Sequence, residues 1–157
     1  MPAPPAHDER LWPGPLGWAL APALGLVVLI AIFPAAPDAA WIGGVLATAA
    51  GLGAVRAVSP RVRVAEGDLE AGGARIPVTL LGEIEVLDRA GVHRAVGPGS
   101  DARTFAVLRA GLPGGVLVAV TDPQDPTPAW LVSTRRPTAL AAAIAAERQA
   151  AHSRQIG

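Results

Sequence analysis

Apolar and polar positions divide the chain into contrasting regions. Between Arg10 and Asp38 no residue is charged, and between Asp38 and Arg56 none is charged again. From Pro60 onward the pattern changes to short alternating runs broken by Gly, Pro and Asp. The first apolar run, LGWALAPALGLVVLIAIF, extends from Leu16 to Phe33. The second, AAWIGGVLATAAGLGAVRAV, extends from Ala39 to Val58. A bilayer core needs roughly 20 apolar residues in helical form. The runs therefore predict two transmembrane helices, at about 14–33 and 39–58, with Pro22 kinking the first. Trp12, Trp18 and Trp41 suit the headgroup level, where aromatic rings anchor helices. Gly43, Ala47 and Gly51 recur every four residues, as do Gly44 and Thr48. Together with Ala21 and Gly25 they offer a small-residue face for close helix packing.

A cleaved signal peptide fits less well, because Asp8 and Glu9 flank a single Arg10 and a second apolar run follows at once. Burial of both helices in a soluble core would need more chain than the remaining hundred or so residues supply. Arg56, Arg61 and Arg63 follow the second helix, whereas the connecting loop carries only Asp38. By the positive-inside bias, both termini are expected in the cytoplasm. The chain then reads as a cytoplasmic N-terminal tail (1–13), a transmembrane hairpin (14–58), a cytoplasmic β domain (60–150) and a frayed tail (151–157).

In the β domain, Arg61-Val62-Arg63-Val64 and Glu83-Ile84-Glu85-Val86-Leu87 alternate as half-buried strands do. Strands are also expected at 69–71, 74–78, 104–108, 115–120 and 129–134. Gly67-Asp68, Gly72-Gly73, Gly97-Pro98-Gly99, Pro113-Gly114 and Asp122-Pro123 punctuate them. Pro137 suits the first position of a closing helix, and Leu140 and Ile144 lie four apart on one face. The fold class is thus α+β: a two-helix membrane hairpin, then a small, mostly antiparallel barrel or sandwich capped by a C-terminal helix. That order of elements resembles pleckstrin-homology-like domains.

Composition narrows the range of jobs. The chain is 157 residues long, 51% hydrophobic and only 17% charged, with 13 basic and 13 acidic residues. Every basic residue is Arg, in keeping with an Ala-, Gly- and Pro-rich composition rather than with selection for phosphate. Balanced charge argues against nucleic acid as a partner. The absence of Cys excludes disulfides, thiolate metal sites and cysteine nucleophiles.

Three segments carry a family resemblance: Asp8-Glu9-Arg10-Leu11-Trp12 before the first helix, Gly82-Glu83-Ile84-Glu85-Val86-Leu87, and Asp122 to Pro137. On them the chain resembles an actinobacterial family of small membrane proteins catalogued as domain of unknown function 3093. The resemblance spans nearly the whole chain and implies membership without an activity.

Candidate chemistry is sparse. Asp122 and Asp125 are paired carboxylates, but each precedes Pro, as turn-opening residues do. Ser133, Thr134, Arg135 and Arg136 lie between the last strand and the closing helix. Guanidinium forks, hydroxyls and a helix N-terminus could converge there on a phosphate or lipid headgroup. Because strand residues alternate, Arg135 and Arg136 are expected to differ in effect. His7, His93 and His152 are scattered, so neither a catalytic set nor a metal shell is expected, nor any cofactor. The leading expectation is a non-enzymatic interaction module at the cytoplasmic face of the cell membrane, with the bilayer and a membrane or cytoplasmic protein as partners. The alternatives are a ligand binder or enzyme with a polar pocket near Asp122, Asp125, Arg135 and Arg136, and an accessory subunit of a larger membrane complex.

Overall fold

The structure is a computed structural model that describes residues 5–98 and 100–156. It divides into two units: one holds the chain up to Leu11 and from Pro60 onward, the other Trp12–Ser59.

The Trp12–Ser59 unit is a helical hairpin of α1 (Pro15–Ile32) and α2 (Pro37–Ala57). Both helices begin at Pro, whose missing N–H belongs to a turn that has no partner for it anyway. Pro22 lies inside α1. The small residues form the contact. Gly25, Ala21, Ala40 and Gly44 are buried. A Cβ on Gly25 would stand 1.9 Å from Thr48 Oγ1 and 2.6 Å from the Gly44 carbonyl oxygen. One on Gly51 would stand 3.0 Å from Ala21 Cα. Thr48 is kept from exposing an unpaired hydroxyl by donating to the Gly44 carbonyl at 2.9 Å. Most of the large apolar side chains point outward: Leu16 is 79% exposed and Val45 66%. Both helices are long and apolar enough to cross a membrane. Trp12 stacks obliquely on Trp18 at 5.6 Å, and the Arg56 guanidinium lies 5.8 Å over the Trp12 ring.

Among the described residues, the second unit has eight strands. One sheet is an antiparallel meander of β1 (His7–Arg10), β2 (Arg61–Ala65), β3 (Asp68–Ala71) and β4 (Ala74–Pro77). Its hairpins turn at Glu66-Gly67 and Gly72-Gly73, all four with positive φ, as tight two-residue turns require. The other sheet has the order β5 (Leu81–Asp88), β7 (Gly114–Val120), β8 (Ala129–Thr134), β6 (Phe105–Val107). Here β6 and β8 run parallel while the other pairs are antiparallel. A short helix, α3 (Arg89–Ala95), is capped by Asp88, which accepts from Gly91 N at 2.6 Å. The closing helix α4 (Pro137–Ile156) lays Leu140, Ala143 and Ile144 into a core shared by both sheets. Its outer half is tied down by polar contacts. Glu147 Oε1 accepts from Gly67 N at 2.9 Å, and Arg148 donates to the Gly82 carbonyl at 2.7 Å.

The sequence expectations for the hairpin and the later strands match these elements closely. Three parts differ. Residues 7–10, expected in a tail, form β1, because pairing with β2 satisfies their backbone while His7, Glu9 and Leu11 turn inward. The residues expected to fray from 151 on continue α4 to Ile156. The linker after Asp88 holds α3, which the strand pattern left unassigned.

Two substitutions test these contacts. Leu11 is fully buried in the core although it directly precedes the hairpin. Leu11→Ala should cost about 2–5 kcal/mol, read by denaturant unfolding of the full chain in detergent. Gly25→Val should lower the melting temperature of the purified chain, whereas Gly53→Ala, with open space around its Cβ position, should not.

Candidate functional site

Strand alternation divides the Ser133–Arg136 segment. Thr134 turns toward the core side of the sheet and is fully buried. Ser133 is opposite Gly115 in register, on the face that carries α3. Directly opposed residues share a face, so the two hydroxyls serve different sites.

On the Thr134 side the chain supplies its own anion. Glu9, brought in by β1, is 6% exposed. Thr134 Oγ1 donates to Glu9 Oε2 at 2.5 Å, and Arg135 N donates to Oε1 at 3.1 Å. Thr134 Oγ1 in turn accepts from Arg136 N at 3.1 Å, which ends β8 and sets up the first turn of α4. The Arg135 guanidinium stands 3.9 Å from Glu9 Oε1 and donates to the Arg10 carbonyl at 3.3 Å. A buried carboxylate is tolerated only with such charge-assisted partners. Of the residues expected to take an outside anion, Thr134 and Arg135 are therefore engaged by Glu9.

His7 completes this cluster from the same face of β1. It is 6% exposed, and its Nε2 lies 3.6 Å from Glu9 Oε2, beyond hydrogen-bond range. Burial pulls the imidazole below its ordinary value. The Arg136 charge adds to this, and Glu9 opposes it. On the opposite face of the strand, Asp8 pairs with Arg61, whose Nε donates at 2.7 Å. The Arg61 guanidinium holds the Asp8 carboxyl below the usual carboxylate range.

Asp122 and Asp125 do turn work. Asp122 Oδ1 accepts from Gln124 N at 2.9 Å, and Asp125 Oδ1 from Thr127 N at 2.8 Å. They precede β8, whereas Arg135 and Arg136 follow it. Six strand residues, about 20 Å at strand rise, separate the two pairs, so the joint pocket expected from the sequence does not form. Among the described residues no cluster of His, Asp and Glu could hold a metal ion. Sequence reasoning missed His7 and Glu9. Their signal was the H-x-E spacing, which puts both on one face of a strand.

A family model described as protein of unknown function (DUF3093) matches residues 6–144. The match opens beside β1 and closes at Ile144, where α4 makes its last fully buried contact. No curated protein and no solved structure matches the chain.

The Glu9 cluster makes two measurable demands. Glu9→Gln keeps the shape but turns an amide NH₂ toward one of the two donors. It should cost about 1–3 kcal/mol, read by denaturant unfolding of the full chain. His7 is the pH-sensitive member. Its native value lies below the ordinary 6.5, so the unfolded chain takes up a proton first. Its contribution is complete above 6.5 and is lost as pH falls through the lower native value. The slope of stability against pH in that window should flatten in His7→Gln.

Proposed function

The chain belongs to the DUF3093 family, and from that premise we propose that it is a membrane-tethered, non-enzymatic interaction module. The hairpin crosses the bilayer twice and the β unit works at the cytoplasmic face. One observation carries the reading: the strands on either side of the hairpin are hydrogen-bonded neighbours. β1 enters α1, β2 leaves α2, and His7 to Arg10 pair with Val64 to Arg61. Two ends fixed in one sheet require an even number of crossings. The outward-facing apolar side chains of α1 and α2 support a lipid environment, since lipid removes the penalty that water would impose on them. Arg56, Arg61 and Arg63 against Asp38 in the first turn of α2 support the cytoplasmic side, although Asp8 offsets part of the Arg61 charge. The two-sheet layout with its closing helix supports a pleckstrin-homology-like reading, from which the parallel β6–β8 pair departs. Contact with headgroups at the end of β8 rests on Arg136, which is exposed.

The absence of native cysteine allows a direct test. Ala35→Cys, between the helices, should react with a membrane-impermeant maleimide in intact cells. His152→Cys, on α4, should react only after permeabilisation. The reverse pattern would invert the orientation. Labelling of both in intact cells would overturn the cytoplasmic placement of the β unit.

A further inference from the structure

We propose that the cleft between α3 and the loop before β7 binds a small organic anion: a phosphate or carboxylate head on a short apolar body. This site lies within the β unit and stands whether or not the helices cross a membrane. The cleft has a volume of about 330 Å³. Ligand pockets begin at about 300 Å³. Gly114 lines it and Gly115 follows directly, and neither has room for a side chain. A Cβ on Gly114 would stand 2.2 Å from the Leu87 carbonyl oxygen, and one on Gly115 would stand 3.1 Å from Val92 Cγ2.

Its polar lining is of one sign. Arg89, His93 and Arg109 border the cleft, and among the described residues no carboxylate lines it. The nearby Asp88 is occupied as the cap of α3. Arg89 is held in place by donating Nε to the Leu112 carbonyl at 3.3 Å and Nη2 to that of Gly111 at 3.4 Å. Five donors sit on a guanidinium, so this anchoring leaves others for a ligand. Ser133 supplies the independent observation. It is 2% exposed, lines the cleft, and its hydroxyl makes no hydrogen bond among the described residues. The residue is buried except where its hydroxyl opens into the cleft, so an anionic oxygen placed there would give the hydroxyl a partner. Val92 and Leu108 supply the apolar wall for the ligand's body.

This assigns roles that the sequence pattern did not. The anion-recognising hydroxyl is Ser133 without Thr134, and its cations come from α3 and the β6–β7 loop rather than from Arg135 and Arg136.

Phenyl phosphate is a suitable probe, titrated by calorimetry into the full chain in neutral-lipid nanodiscs. It should bind at one site per chain, at least tenfold more tightly than inorganic phosphate or phenol. Loss of one charge-assisted contact should weaken binding by about tenfold or more, so Arg109→Gln and Ser133→Ala should each do so. Unchanged thermal unfolding would show that these variants fold. Arg136→Gln, outside the cleft, should bind as the parent does. Competition by phosphatidate built into the disc would assign the head to a lipid. Undiminished binding would assign it to a soluble ligand, and either result supports the proposal. Equal binding of phenol, or full affinity in folded Arg109→Gln and Ser133→Ala, would overturn it.

Discussion

Two strands that are separated by the whole helical hairpin must pair, and most of the architecture follows from this. Bringing Arg10 and Arg61 together closes a loop of about fifty residues. The entropic cost of closure grows only slowly with loop length, but four short strand residues with three formal charges have little apolar surface to offset it. Leu11 provides the main burial, and Glu9 provides specificity. Its carboxylate finds Thr134 Oγ1 and Arg135 N only when β1 is in this register. A shift by one residue would exchange His7 and Glu9 for Asp8 and Arg10 on the inner face, because side chains alternate strictly along a strand. The Asp8–Arg61 pair on the outer face favours the same alignment.

The hairpin and the β unit are built by different physics. In the hairpin the closest contacts are made by glycine, alanine and one threonine, with Val28, Leu29 and Ile32 lying over Gly43 and Gly44, so close backbone approach carries much of the packing. Most of the other large apolar residues face away from it. In the β unit the large residues face inward, with Val62, Val64, Leu69, Val116, Val118 and Val132 meeting Leu140 and Ile144. One chain thus carries two opposite solutions to the placement of apolar side chains.

Legibility in the sequence followed how strongly each element depends on a periodic signal. The helices were plain because charge is absent over their lengths. The β2–β3 and β3–β4 hairpins were plain because Gly67, Gly72 and Gly73 mark the positive-φ turns. β1 was hidden: HDER shows no apolar alternation, and its inward residues are polar groups satisfied by partners near the other end of the chain. α3 was hidden because RAGVHRA has few apolar residues and a central Gly. The anion-site reading could not tell that Ser133 and Thr134 face opposite ways into different surroundings. It also could not tell that an internal acid already occupied the Thr134 side.

The Glu9–Thr134 bond joins residues 125 positions apart. Synthesis runs from the N-terminus, so Glu9 emerges long before its donors exist. The strand's backbone must wait for both helices and for β2, and its carboxylate must wait longer still for β8. The first strand made is therefore among the last to be locked. A chain cut anywhere before Thr134 leaves that acid without its partners. The side chain of Glu9 is satisfied only when nearly the entire polypeptide has been delivered.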